Sequence, residues 1–399
     1  MEQLLDESNS NNTSLSNQSP GDASSADALR DRFGTQANPQ APKGTSASSE
    51  WQEWANAEAR QRLLSGCFIF DIHQSMYHQQ PRSRVPRDLS SSLVRQPCLE
   101  SLWTASNPSE WQAQRSSSDI EPVHLIEQDM NSQSVLTSLS FTQTLQICWF
   151  MSRLPVREDP SHPNEHFPQA MHPDIQNFMY LFPNTPLAHS YMALYHTPLH
   201  SLLAVAGDTW VFGSKFGISA FQAAQSKLKA WSTSRAAAQA AHHACELLAQ
   251  TLSQPLTFSS DGSMASPICS ITDYWALYVS ALICWAFGHR YQTANSGGTS
   301  GTLTRSSSST EIRSMDTDDM PLSDDLRLKV LTYTNGMLEL PVEDLLTSKA
   351  RMKGETAGII DAVRQRLEIE SIGNKCGLLV EAIVVLTKLR KAGGKTHWF

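Results

Sequence analysis

The residues best suited to chemistry are histidines, and six of the thirteen, His162, His166, His172, His189, His196 and His200, share one short stretch. His162/His166 and His196/His200 are each four apart, a spacing that on an unbroken helix puts both imidazoles on one face, where they could clamp a zinc ion. Proline argues against that helix. Pro163 and Pro168 interrupt the first pair, Pro198 splits the second, and neither pair encloses the glutamate of an H-E-x-x-H metalloprotease helix. His242, His243 and Cys245 lie on an Ala-rich stretch where successive side chains point in different directions, which suits packing or capping better than ligation. The sequence therefore predicts no metal site, no bound cofactor and no catalytic residue. An all-helical metal-binding enzyme built on residues 162–200 stands as the alternative.

Other motifs are weaker. Gly393-Gly394-Lys395-Thr396 imitates the end of a phosphate-binding loop, but Leu389 stands where that loop needs its first glycine, and a helix precedes it instead of a strand. There is no G-x-S-x-G and no protease-type cysteine motif. Arg82, Arg84, Arg87 and Arg95 form a basic group in a Pro/Ser-broken segment that reads as a solvated loop. DNA reading would call for zinc-finger spacing or a helix dense in Lys and Arg, and neither is present.

The elements that must position any site are helical. With 39 acidic against 31 basic residues the net charge is −8, which excludes a generally basic nucleic-acid binder. The start, MEQLLDESNSNN, is acidic where a secretory signal needs a basic then apolar run, and seven scattered cysteines without a C-x-x-C pair read as reduced, mostly buried thiols. Residues 1–50 are Ser/Asn-rich and residues 293–323 are acidic and Gly/Ser-rich, so both are expected to be disordered. They set off a helical block at 51–292 and a further helical part of the same domain at 324–399.

Within these blocks Leu64, Phe68, Ile72 and Met76 recur every four residues, and Pro81 ends the pattern. Further helices are predicted over 134–154, from a Thr197-Pro198 cap to Gly207, over 219–252 with a break near Ser232–Ser234, behind a Ser323 cap, behind Pro341 and over 374–391. The apolar run 274–287 is too short to span a membrane and reads as a buried central helix. The fold class is all-α, with roughly ten helices.

Six collinear segments resemble one family, the fungal-specific transcription factor domain. They are WANAEARQRLLSGCFIFDIHQSMYHQQPRS (54–83), LESLWTASNPSEW (99–111), TPLHSLLAVAGDTWVFGSKF (197–216), FQAAQSKLKAWS (221–232), DYWALYVSALICWAFGHR (273–290) and CGLLVEAIVVLTKLRKAGGKTHWF (376–399). The resemblance spans 51–399 and is nearest to the form that follows two-Cys two-His fingers. It implies Asp71, Trp103, Asp208, Trp210, Trp231, Trp275 and Trp285 as structural core residues, with Phe212 as a further anchor.

The same resemblance implies a nuclear regulator of RNA polymerase II-dependent transcription, with other transcription factors or co-regulators as partners and a homodimer as a further partner form. Zinc and direct DNA contact belong to a finger domain that these residues do not contain. A finger-less modulator that pairs with full-length relatives is the alternative within the family.

Overall fold

The computed structural model describes residues 47–80, 97–117, 141–154, 173–207, 210–211, 214–215, 217–252, 257–258, 264–265, 271–288, 324–348, 356–371 and 376–392. The expectations for residues 1–46, 81–96 and 293–323, for Ser323 and for the Gly393–Thr396 motif lie outside them, as do His162, His166, His172, Asp208 and Phe212.

The architecture is all-α, as the periodicity predicts. Among the described residues there are fourteen helices, above the ten expected. The surplus comes from short helices that hold too few turns to show a period. Two of these follow the first long helix: α1 (Ala47–His78) is succeeded by α2 (Glu100–Trp103) and α3 (Pro108–Ser117). Next come α4 (Phe141–Arg153), α5 (Pro173–Leu181), α6 (Pro186–Tyr195), α7 (Leu199–Ala206), α8 (Ile218–Ser232) and α9 (Arg235–Leu252). The last are α10 (Ile271–Gly288), α11 (Asp324–Leu338), α12 (Val342–Ser348), α13 (Thr356–Glu370) and α14 (Gly377–Ala392). Two antiparallel two-residue pairings interrupt the helices: β1 (Trp210–Val211) with β2 (Ser214–Lys215), and β3 (Thr257–Phe258) with β4 (Met264–Ala265).

Local chemistry accounts for several boundaries. Gly207 ends α7 in the left-handed region at φ 108°, a conformation that glycine adopts without a Cβ penalty. Ser234 separates α8 from α9, because its hydroxyl accepts the Ala237 N–H at 3.3 Å as an N-cap while donating to the Trp231 carbonyl at 2.7 Å. Thr197 does not cap α7 as its sequence position suggests. Its hydroxyl bonds back to the Ala193 carbonyl of α6 at 2.7 Å, and Pro198 takes the cap position instead. Thr197 thus finishes one helix and leaves the next to start on proline geometry.

α1 corrects a second expectation. A strict four-residue spacing drifts about 40° per step around a helix of 3.6 residues per turn, so the row Leu64, Phe68, Ile72, Met76 cannot stay on one face. The buried positions are Ser65, Ile69, Ile72, Met76 and Tyr77, and Leu64 is 56% exposed.

The core is built around α9. Ala237, Ala238, Ala240, Ala241 and Ala244 have no exposed surface, and α6, α10, α11 and α12 all pack against this helix. Small side chains let four neighbours approach one axis. α13 then packs on α10, α11 and α14, and α1 packs on α3, α4 and α6. The end of α10 meets the start of α13 so closely that a Cβ built on Gly288 would lie 2.7 Å from Thr356 Cγ2. α10 contains the predicted buried run, and its residues from Trp275 to Ile283 are all buried. Among the described residues, no helix is long and apolar enough to cross a membrane.

Candidate functional site

Two side chains singled out by sequence, Trp231 and Trp275, bond to the turn between α6 and α7 and to the end of α1 that is tied to it. The Trp231 indole N–H, from the end of α8, donates to the His196 carbonyl at 2.7 Å. The Trp275 indole N–H, from α10, donates to the Tyr77 carbonyl at 3.1 Å. Between them the end of α1 is tied to the turn twice. Gln79 Nε2 donates to the Thr197 carbonyl at 2.8 Å, and His200 Nε2 donates to the His78 carbonyl at 3.2 Å. Gln79 sits at φ 52°, in the left-handed region, and its side-chain bond to Thr197 fastens that reversal of the chain. Four segments distant in sequence are thereby joined through backbone carbonyls that would otherwise be orphaned at helix ends.

Behind this seam lies a histidine cluster, and its proton positions follow from the acceptors. His189 Nε2 is 2.8 Å from the Pro183 carbonyl, which can only accept, so the proton of neutral His189 is on Nε2. Its bare Nδ1 must then accept from His243 Nδ1, 3.2 Å away. His196 stacks parallel to His243, with ring centroids 6.4 Å apart, and His242 meets His243 edge-on at 5.7 Å. Burial holds the His189 pKa down at about 4 and pushes that of His243 well below the usual imidazole range, with the neighbouring histidines adding to both. These rings are neutral packing groups that hold α6 against α9.

His196 and His200 are not brought together. His196 ends α6 and its ring turns inward to His243, whereas His200 lies on α7 and reaches His78. Among the described residues no group of three His, Cys, Asp or Glu side chains could hold a metal ion.

A second buried polar network links α1, α4 and α6. Ser190 donates to the Leu187 carbonyl at 2.9 Å, so Tyr77 donates to Ser190 Oγ at 3.0 Å. Tyr191 Oη contacts both His73 Nδ1 and Cys148 Sγ. Burial holds His73 at about 4 and pushes the Cys148 thiol up to about 12. This network ties three helices together. Its members are far apart in the chain and gave no sequence signal.

The remaining sequence-predicted residues have individual places. Trp103 on α2 is half-buried under the Arg62 guanidinium, 4.7 Å from its ring centre. Arg62 also donates to Glu58 at 3.0 Å, to Glu100 at 3.0 Å and to the Cys98 carbonyl at 3.2 Å, knotting α1 to α2. Burial works against that charge, and the bonds to Glu100 and Glu58 more than restore it, so the Arg62 pKa stands above its ordinary value. Asp71 is half-buried on α1, Trp285 packs at the edge of the core, Trp231 and Trp275 are buried, and Trp210 opens β1 opposite Lys215. Among the described thiols Cys148, Cys245 and Cys284 are buried, Cys98 and Cys376 are half-buried, and Cys67 is exposed. A groove of about 500 Å³ between α11, α13 and α14 is lined by Leu326, Leu328, Ala357, Asp361 and Arg390 among others.

Comparison with known families gives one match, over part of the chain. Residues 9–166 match the fungal specific transcription factor domain. The match takes in the segments at 54–83 and 99–111, begins within the Ser/Asn-rich stretch and stops before the other four segments, so it differs in extent from the 51–399 expected. Structure joins the two parts, because Tyr77, His78 and Gln79 inside the match are bonded to Trp275, His200 and Thr197 outside it. Residues 9–166 are thus similar to the fungal specific transcription factor domain, over less than half of the chain. No curated protein and no solved structure matches the chain.

Proposed function

We propose that this chain is the regulatory, non-DNA-contacting region of a fungal zinc-finger transcription factor, acting in the nucleus on RNA polymerase II-dependent transcription. The match of residues 9–166 to the fungal transcription factor domain carries this reading. The chemistry described above supports it. Burial holds His189 and His243 neutral and they are bonded to one another, burial keeps the Cys148 thiol protonated, and the net charge of −8 opposes phosphate contact. DNA is reached through a finger domain, and the helical body makes contacts with co-regulators. Zinc belongs to that finger domain and not to these residues.

The test fuses the full chain to a heterologous DNA-binding domain and reads a reporter gene. Reporter output that departs from that of the DNA-binding domain alone, and returns to it when Trp231→Ala disrupts the seam, is the expected result. Folded, nuclear fusion protein with no effect on the reporter overturns the reading. Metal analysis of the purified chain addresses the enzyme alternative directly. Stoichiometric zinc that disappears on His196→Ala would establish that alternative, and the expected result is zinc well below one per chain.

A further inference from the structure

Cys245 on α9 and Cys284 on α10 meet inside the core. Their sulfurs lie 3.9 Å apart although the residues are 39 positions apart in sequence, and neither has exposed surface. The residues one turn earlier explain the approach. Ala241 precedes Cys245 by four positions and Ala281 precedes Cys284 by three, so each alanine shares its cysteine's face, and both are fully buried. Small side chains let the axes of two packed helices come close, which brings the two thiols into contact.

Two chemistries are open to a pair of thiols in contact. Binding a soft cation would need both as thiolates and would leave charge in an apolar interior, which is costly. Among the described residues no third His, Cys, Asp or Glu completes a metal-holding group around them. A disulfide is neutral, so it can replace the two thiols without burying a charge. An S–S bond is about 2.05 Å long, so the sulfurs must close by about 1.9 Å, a movement that rotation of both side chains shares.

Burial also sets when the pair reacts. It pushes the Cys245 thiol well above its usual range, and the contact with Cys284 adds to that. The thiolate is the nucleophile, so the closed fold resists oxidation and the reaction draws on transient openings between α9 and α10. Cys67, which is exposed, meets an oxidant first. The buried pair therefore answers to sustained oxidation and is spared by a brief one.

We infer that Cys245 and Cys284 form a redox-sensitive staple, which hydrogen peroxide closes to a disulfide locking α9 to α10 and a small dithiol reopens. In the first step one sulfur attacks the peroxide, the O–O bond breaks, and the sulfur becomes a sulfenic acid as the other oxygen leaves as water. In the second step the partner sulfur attacks the sulfenyl sulfur. The S–S bond forms, the S–O bond breaks, and the hydroxyl leaves with the second thiol's proton as water. Two thiols and one hydrogen peroxide thus give one disulfide and two waters, with two electrons passing from sulfur to oxygen. The staple goes beyond the transcriptional reading and stands or falls without it.

The test exposes the full, folded chain to hydrogen peroxide at neutral pH, alkylates the remaining thiols and maps disulfides by mass spectrometry of unreduced digests. The expected product is a peptide pair joined at Cys245 and Cys284, two hydrogens lighter than the separate peptides and parted again by dithiothreitol. The denaturation midpoint should rise on oxidation, fall back on reduction and stay unmoved by peroxide in Cys284→Ala. Amide hydrogen exchange in α9 of the unsubstituted chain should slow and recover in step, a readout that needs no variant. Cys245 and Cys284 that are still alkylated as free thiols, after prolonged exposure that leaves no free Cys67, overturn the inference. So does a pair that links only once denaturant is added, a linkage of Cys245 to any other cysteine, or an oxidised chain that unfolds more easily than the reduced one.

Discussion

α9 and α1 are both long helices with many apolar residues, yet they occupy opposite situations. α9 is enclosed by α6, α10, α11 and α12 and buries a run of alanines completely, whereas α1 presents one face to the core and leaves Leu63, Cys67 and Phe70 to solvent. Composition alone does not separate them. The difference lies in where the large side chains sit: in α9 the neighbours bring the bulk and the helix supplies the space, while α1 carries bulk on two faces and finds partners within the chain for only one.

That contrast can be broken most forcefully at Trp231. Trp231→Ala removes a fully buried indole and its bond to the His196 carbonyl, and should cost about 4 kcal/mol of stability in chemical denaturation. Phe70→Ala on α1 should stay within about 0.5 kcal/mol under the same conditions. Equal losses from the two would remove the distinction.

Acidification acts on the buried histidines, His73 on α1, His189 on α6 and His243 on α9. The fold holds His189 neutral, with a pKa of about 4 against the usual 6.5. Its contribution is therefore complete above pH 6.5 and is lost as pH falls from 6.5 through 4, by up to about 3 kcal/mol. Denaturation midpoints at pH 7 and pH 4.5 measure this, and His189→Asn should reduce the difference, the remainder coming from the other buried histidines such as His73 and His243.

Gly288→Val should cost about 2 kcal/mol by driving a side chain into Thr356, and Thr356→Ser, which removes the clashing methyl, should restore part of it in a double-mutant cycle. Arg62→Met should cost about 1 kcal/mol, because the half-buried knot to Glu58, Glu100 and the Cys98 carbonyl loses its centre. Arg115→Ala, whose partner Glu50 is as exposed as Arg115 itself, should change stability by less than about 0.5 kcal/mol.

Local chemistry was legible in the sequence, and juxtaposition was not. The stop at Gly207, the break before Arg235 and the burial of α10 each follow from residues within one or two turns of one another. The family resemblance also pointed to Trp231 and Trp275, and an indole is bulky enough to mark a core position unaided. Nothing near His189 signals His243 as its partner, and nothing near Tyr77 signals Ser190, because those meetings depend on how whole helices cross. The spacing of His196 and His200 misled for the same reason. A four-residue interval has meaning only on one continuous helix, and the turn at Thr197 and Pro198 sends the two rings to different neighbours. The exposed strip on α1 was hidden by a spacing rule taken too strictly, since a row at every fourth residue crosses from the buried face to the open one.

The direct packing of α11 on α9 and of α13 on α10 has a consequence for how the chain tolerates being cut. Residues 289–323 join two parts that already grip each other, so what the connection adds is mainly the entropy of closing a loop. That term grows only by about 0.6 kcal/mol for each doubling of length. Insertions there should be nearly silent, and a backbone nicked within 293–323 should stay together as a two-piece complex that co-elutes and melts as one. Expressed as separate polypeptides, the two pieces should find each other and rebuild the same core.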